Sequence, residues 1–263
     1  MRSAYAAVPL ALALRAAATT KDSWAFGNGF YSGPATNAHI TKATWSLVPP
    51  TVPQGVEVQD SSDQVWVSLW IGLQHTNGDD SSYLYQPLLN WSPDQESQGC
   101  PATAEEWCVA ASTYTPNGQN GQAYVTIPTG AQVDFEGEHH ILDNHRDIFV
   151  QILTSQVTVE NSKVYQTVTM DGKVISKETD DLDAELLYLY SGDECYTGSG
   201  NCGTLEAYSW NNITIHLSAE DEKFGDTLFL YKGSNSSGFT TSDGGKTWHA
   251  ESINIEQDSW TGA

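Results

Sequence analysis

The stretch from Trp66 to Trp91 constrains the fold more than any other part of the sequence. Two largely apolar runs, Val65–Gln74 and Tyr83–Trp91, flank the turn-forming residues Thr76–Ser82. This composition predicts two β-strands joined by a polar loop. Because strand side chains alternate between the two faces of a sheet, each of these strands has one face to bury.

The same alternation assigns individual side chains to faces. Trp70 and Gln74 share one face of the first predicted strand, and Gln86 shares a face of the second with Asn90, opposite Tyr85. Gln86 is an uncharged amide within an apolar run, and such a group is costly to bury without hydrogen-bond partners. Gln86 is therefore either a hydrogen-bonded core amide or a functional group.

The rest of the chain repeats this pattern. Short alternating runs such as His39–Val48 are separated by turn residues, and the Asp171-Gly172 pair predicts a tight hairpin. There is no convincing helical periodicity, no repeat of fixed period and no clean linker. The sequence predicts an all-β fold, an antiparallel two-sheet β-sandwich or jelly roll, with residues 19–263 forming a single domain.

Charge excludes several classes of partner. The 263 residues carry a formal net charge of −22, which disfavours nucleic acids and anionic membranes because both are bound through Lys and Arg. An acidic chain of this kind suits work in acid, where many carboxylates are protonated, although an acidic surface also serves solubility alone. We expect a monomer with no nucleic-acid or membrane partner.

The amino terminus and the cysteines predict secretion. Residues 1–18 resemble a signal peptide, with Arg2 before an apolar run and small residues at the end. The four cysteines form two close pairs, which in a secreted chain favour the bridges Cys100–Cys108 and Cys195–Cys202; a zinc site built from all four is the alternative. Three glycosylation sequons occur, at Asn90, Asn212 and Asn235, of which Asn235 is the most favourable.

A second candidate stretch is Cys202–Trp210. In a strand here, Glu206, Tyr208 and Trp210 would share one face. A carboxylate followed by aromatic residues on its own face indicates either a solvent-facing strand or a binding groove, since Tyr and Trp form binding platforms.

These and other landmarks resemble the eqolisins, the secreted glutamic peptidases of fungi, and fungal secreted proteins described as concanavalin A-like lectin/glucanase domains. The landmarks follow one another in the same order along most of residues 23–217. They are Ser23-Trp-Ala, Ala43-Thr-Trp-Ser-Leu-Val-Pro, Trp70-Ile-Gly-Leu, Leu84-Tyr-Gln-Pro-Leu-Leu-Asn-Trp and Leu205-Glu-Ala-Tyr.

The resemblance implies a concanavalin A-like sandwich and an acid endopeptidase that cleaves polypeptides. It places the catalytic roles on Gln86 and Glu206: the carboxylate takes a proton from the attacking water, and the amide stabilises the oxyanion. No metal or other cofactor is needed. The candidate substrate-binding residues are Trp70, Gln74, Trp91, Trp107 and Tyr208, although Trp91 and Trp107 also fit an ordinary core.

The chain departs from the eqolisin pattern in ways that leave other functions open. The Trp-Tyr-Glu-Trp-Tyr-Pro stretch that lines the family's cleft has no counterpart, the family's Asp after Gly-Ile is Gln74, and there is no room for a long propeptide before Trp24. The same fold also carries polysaccharide lyases, glycosidases and carbohydrate-binding proteins without catalysis. Whether the chain is an enzyme therefore stays open at this point.

One further cluster contains His139, His140, Asp143 and His145. These residue types bind metals, but adjacent histidines on a strand point to opposite faces and the spacing matches no common ligand set. A polar loop or a pH-sensitive edge is the favoured interpretation.

Overall fold

The computed structural model describes residues 23–59, 63–127, 153–160, 162–198 and 200–260, and this part of the chain is nearly all β. Its helical elements are two short 3-10 helices, Glu96–Gln98 and Phe224–Thr227. The paired strands in these segments are antiparallel. The two large sheets described next confirm the predicted all-β sandwich.

The first large sheet has ten strands. They are β1 (Ser23–Ser32), β3 (Trp66–Gln74), β4 (Leu84–Tyr85), β5 (Leu88–Trp91), β6 (Trp107–Ala110), β7 (Ser112–Thr115), β8 (Gly118–Gly121), β9 (Val125–Ile127), β13 (Tyr188–Thr197) and β16 (Phe229–Tyr231). Its main path runs β16-β1-β13-β3-β4-β7-β8, and a branch from β3 continues through β5 and β6 to β9.

The second large sheet has seven strands in the order β12-β11-β10-β2-β15-β18-β17. They are β2 (Ile40–Leu47), β10 (Leu153–Glu160), β11 (Lys163–Met170), β12 (Lys173–Asp181), β15 (Tyr208–Leu217), β17 (Ser234–Ser236) and β18 (Thr247–Ile255). A small third pair joins β14 (Thr204–Leu205) to β19 (Asp258–Ser259).

The hydrophobic core lies between the two large sheets. On β3, Val67, Leu69, Ile71 and Leu73 are fully buried in the main apolar cluster, whereas Trp70 lies outside that cluster. Alternation along β3 therefore separates a core face from an outer face, which is the face of the ten-stranded sheet that points away from the core. Trp70 and Gln74 both lie on this outer face, so they share one face as the alternation predicts.

The predicted strand over Tyr83–Trp91 is interrupted in the structure. It divides into β4 and β5, with Gln86 and Pro87 between them. The backbone N–H of Gln86 donates to the Ser112 carbonyl at 2.8 Å, but Pro87 has no N–H to continue the ladder. Even so, Tyr85 and Leu89 lie in the core cluster as the alternation predicts.

Local turn chemistry fixes the hairpin between β11 and β12. Asp171 and Gly172 both have positive φ, 54° and 69°, the combination that a two-residue type I′ turn requires. The strands pair from Lys163 with Asp181 to Met170 with Lys173. The hairpin predicted from Asp171-Gly172 is confirmed.

The structure also confirms both predicted cysteine pairs. Cys100–Cys108 and Cys195–Cys202 are bridged, with Cα–Cα distances of 6.3 and 5.8 Å. The predicted signal peptide, residues 1–18, lies outside the described residues. Within them, no helix has the length and apolar character needed to cross a membrane.

We expect the bridge at the end of β13 to stabilise the fold. Replacing Cys195 and Cys202 together by Ser should lower the free energy of unfolding by about 2 kcal/mol. Without the bridge, the unfolded chain is no longer closed into a loop and gains conformational entropy, which favours unfolding. Urea unfolding of wild type and of this double variant measures the difference, with the Cys100/Cys108 double variant for comparison.

Peptide mapping without reduction should recover the two native pairings; free thiols or crossed pairings would contradict the structure.

Candidate functional site

The structure places Glu206 away from the ten-stranded sheet. Glu206 is exposed and lies in the two-residue link between β14 and β15, outside any strand. Tyr208 and Trp210 follow on β15, and both are buried in the main core cluster. The aromatic face predicted beside Glu206 is therefore a core face, and Tyr208 is not a cleft wall.

Gln86 does lie on the outer face of the ten-stranded sheet. It is 6% exposed, and a Cβ placed on Gly72 would lie 3.0 Å from the Gln86 Cβ. Its Oε1 atom has no hydrogen-bond partner within the described part of the chain. Because Glu206 belongs to the link into the seven-stranded sheet, the structure does not bring Gln86 and Glu206 together on one face.

Three other predicted binding residues have structural roles. The indole N–H groups of Trp91 and Trp107, both in the core cluster, donate to the carbonyls of Ala104 and Pro50, each at 2.8 Å. Gln74 is 4% exposed, and its side-chain amide donates to the Asp79 carbonyl at 2.9 Å. Trp91 and Trp107 thus fit the core interpretation, and Gln74 holds the loop after β3.

Trp70 belongs to a row of aromatic rings across the outer face, here called the Tyr190 row. The row contains Phe229, Tyr31, Tyr190 and Trp70. Successive ring centroids are 5.2, 5.7 and 6.0 Å apart, and each pair is stacked. Four different strands contribute one ring each, so the row crosses the sheet from β16 to β3.

A second row crosses the same face further along β13 and is called here the Tyr196 row. Trp24, Tyr196 and Trp66 have neighbouring centroids 4.6 and 4.9 Å apart. Trp24 is 51% exposed. Tyr190 and Tyr196 are six residues apart on one strand, which separates the two rows by roughly 20 Å.

Glu194 lies on the outer face between these rows. Its neighbours across the sheet are Phe26 on β1 and Ser68 on β3. Phe26 is 54% exposed. Gly192, two residues before Glu194 on the same face, has no side chain and is covered by the ring of Trp70. The carboxyl group of Glu194 is therefore set among aromatic rings at the middle of the face.

This environment changes the acidity of Glu194. Burial raises the pKa of its carboxyl group to about 7, because desolvation penalises the charged form. The indole N–H of Trp70 approaches the carboxylate and partly lowers the pKa, although it makes no hydrogen bond of regular geometry. A carboxyl group with this pKa is suited to exchange protons near neutral pH.

Polar side chains continue from Glu194 across the sheet. The Ser68 hydroxyl donates to the Asn90 side-chain oxygen at 2.6 Å, and both residues are at most 7% exposed. Asn90 is therefore a recessed residue of the outer face and a poor glycosylation acceptor, unlike Asn235, which is exposed. Glu194, Ser68 and Asn90 give this part of the face a polar floor between aromatic walls.

Glu194 is not among the candidate residues that the sequence pattern indicates. The composition predicts a strand over Ala184–Tyr190, and the next residues, Ser191, Gly192 and Asp193, are common in turns. In the structure β13 continues to Thr197 because β1 and β3 pair with it on both sides. The sequence does contain a pattern that indicates this site. At the even-numbered positions of β13, the tyrosines and Glu194 share one face.

A histidine and a serine meet elsewhere in the molecule, at a cavity of about 510 Å³ near the start of β2. The Ser218 hydroxyl lies 3.2 Å and the Glu185 carboxylate 3.5 Å from the same ring nitrogen of His39, Nδ1. A catalytic triad needs the acid and the nucleophile on opposite ring nitrogens. This cluster therefore lacks triad geometry.

The histidine-rich cluster, for which the sequence favours a polar loop or a pH-sensitive edge, lies outside the described residues; its members are His139, His140, Asp143 and His145. Elsewhere in the described segments, no group of three or more His, Cys, Asp or Glu side chains is arranged to hold a metal ion.

No protein-family model matches the chain, and no curated protein matches it either.

The raised pKa of Glu194 predicts a pH-dependent stability. In the folded state the Glu194 carboxyl group keeps its proton up to a pH of about 7, whereas the ordinary pKa of such a group is 4.5. The stabilisation that this protonation gives the folded state is therefore fully present below pH 4.5 and is lost as the pH rises through 7. Glu194→Gln should remove this contribution, which is on the order of 3 kcal/mol. Urea unfolding measures how much the free energy of unfolding falls between pH 5 and pH 8, and this fall should be smaller in the variant than in wild type. Equal falls in both proteins would contradict the assignment of the raised pKa to Glu194.

Proposed function

We propose that the chain binds a neutral polysaccharide along the outer face of the ten-stranded sheet and that Glu194 is the proton donor at the centre of this face. The observation that carries the proposal is the position of Glu194. Its carboxyl group lies between the Tyr190 row and the Tyr196 row, with a pKa raised to about 7.

The aromatic rows support a carbohydrate ligand. Aromatic rings offer flat apolar surfaces, and a pyranose ring has a matching apolar face of C–H groups; Tyr and Trp also provide polar edges for sugar hydroxyls. Two rows separated by roughly 20 Å along the strand match an extended chain of several sugars. Ser68 and Asn90 would supply hydrogen bonds between the rows.

The acidity of Glu194 favours a proton donor over a base. A carboxyl group with a pKa of about 7 is protonated in mild acid, so it cannot take a proton from water there. It can give its proton to a glycosidic oxygen as the bond to the anomeric carbon breaks, while a water molecule attacks that carbon and releases its own proton to solvent. The glutamic-peptidase hypothesis instead needs an ionised carboxylate beside Gln86, and Glu206 does not lie on that face.

Charge narrows the type of polysaccharide. The formal net charge of −22 would repel polyuronates and sulfated chains. A neutral glucan, mannan or xylan avoids this repulsion. Two disulfides fit an oxidising environment, so we place this activity outside the cell.

Binding is tested with a panel of neutral and anionic polysaccharides. Trp66→Ala and Trp70→Ala should each weaken binding of the best neutral ligand about tenfold, which is about 1.4 kcal/mol. Tyr165→Ala is the matched control, because Tyr165 is a 38% exposed aromatic residue on β11 of the other sheet. If the Tyr165 variant loses as much affinity as the Trp variants, or if no polysaccharide binds, the binding proposal fails.

Cleavage is tested with the same polysaccharides and with protein substrates between pH 3 and pH 8. Glu194→Gln should reduce polysaccharide cleavage by roughly 10²–10⁴-fold, and wild-type cleavage should decline as the pH rises through about 7. Binding that survives Glu194→Gln without any cleavage by wild type would leave a carbohydrate-binding protein and remove the catalytic role. Protein digestion in acid that is abolished by Glu206→Gln or Gln86→Ala would favour the peptidase hypothesis instead.

A further inference from the structure

The core side of β13 carries a second acidic group that the proposed function does not use. Asp193 is fully buried, and its side chain lies on the opposite face of β13 from that of Glu194. A Cβ on Gly27 would overlap both the Asp193 Oδ1 atom and the Asp258 Oδ2 atom. The two carboxylates therefore converge on one point beside the β-bulge of β1, where only glycine leaves space for them.

Hydrogen bonding at this point is incomplete. Asp258 accepts a hydrogen bond from the backbone N–H of Asn28 at 2.5 Å. Neither oxygen of Asp193 has a hydrogen-bond partner of regular geometry in the described part of the molecule, and the Tyr208 hydroxyl, on a side chain 7% exposed, has none either. Buried oxygens without partners are costly, the more so when they belong to a carboxylate.

The Tyr208 hydroxyl is an independent pointer to a missing ligand. It comes from β15 of the opposite sheet, and both Asp193 and Asp258 act on it electrostatically. One proton shared by the two carboxylates would satisfy one contact between them. It would leave the second Asp193 oxygen without a partner, and the Tyr208 hydroxyl with only the Trp210 indole N–H, which approaches it without regular hydrogen-bond geometry.

The positive charge of Lys232 does not supply the missing hydrogen-bond partner of Asp193. Lys232 acts on Asp193, but its ammonium group donates to the Phe26 carbonyl. Burial and the Asp258 carboxyl raise the pKa of Asp193 well above its ordinary value, and Lys232 only partly lowers it. Tyr231 lies close by and donates to the Ser191 carbonyl at 3.1 Å, so it supplies no proton to the carboxylates.

We propose that Asp193 and Asp258 bind a divalent cation of the calcium type, with the Tyr208 hydroxyl oxygen and water completing its oxygen ligands. Two carboxylates balance the charge of the ion, and an oxygen-only site of irregular shape suits Ca²⁺ better than Mg²⁺, which demands octahedral geometry. Asp258 is partly exposed, which gives the ion a route from solvent. The ion would connect β1, β13 and β19, near the two ends of the described chain.

The ion also competes with protons. Calcium displaces any proton that the Asp193 carboxyl group holds, so calcium affinity falls as the pH is lowered. Binding would fix β13 directly beneath Glu194, because the two acidic residues are neighbours on one strand.

The experiment uses the full chain, freed of metal with EGTA and then titrated with CaCl₂. Wild type should show a saturable rise in melting temperature of about 5–10 °C at a calcium concentration a hundred times the Kd. Asp258→Asn should lose this rise. Glu251→Gln, which removes an exposed carboxylate on β18, should keep it.

Terbium luminescence on wild type gives a second readout that needs no variant. Terbium bound next to the Tyr208 ring should be sensitised by the protein with a stoichiometry of one, and calcium should displace it. Melting temperatures that are equal in EGTA and in millimolar calcium, or terbium binding without a defined stoichiometry, would overturn the proposal. A third result would also overturn the proposal: calcium has no effect, stability falls as the pH rises, and Asp258→Asn abolishes that fall. In that case the two carboxylates share a proton and bind no metal.

Discussion

The antiparallel pairing of β3 with β13 is the constraint on which the rest of the structure depends. This ladder runs from Gln74 with Tyr188 to Trp66 with Tyr196 and lies in the middle of the ten-stranded sheet. Side chains alternate along both strands, so a slip of one residue would exchange the core face and the outer face. The four fully buried aliphatic residues of β3 oppose such a slip, because exposing each of them would cost about 1.5–3 kcal/mol.

This register also separates two acidic residues that are adjacent in sequence. Asp193 is directed into the core beside Asp258, and Glu194 is directed outward among aromatic rings. Burial raises the pKa of both carboxyl groups, but their neighbours differ. A second carboxylate converges on Asp193, which favours a cation, while the indole N–H of Trp70 and the aromatic walls surround Glu194, which favours a neutral ligand with hydroxyl groups. One strand thus positions both proposed sites.

Alternation in the sequence was sufficient to predict the sandwich and the two faces of β3, because both follow from local pattern. The same reasoning assigned Tyr85 and Gln86 correctly to opposite faces. It was wrong about the face of Tyr208 and Trp210, since alternation tells which residues share a face and not which face is buried. Sequence reasoning also ended β13 too early: the Ser-Gly-Asp segment is held in the strand by pairing with β1 and β3, which no local propensity reports. Glu194 was missed for that reason, and Glu206 was favoured in its place.

The central claim is that Glu194 is a protonatable group within a sugar-binding surface. Its most direct test is a ¹³C NMR titration of glutamate side-chain carboxyl groups, with the Glu194 signal assigned by its disappearance in Glu194→Gln. We predict a titration midpoint of about 7, and a change in both the shift and the midpoint when a neutral oligosaccharide is added. A midpoint near 4.5 that no oligosaccharide alters would contradict the account.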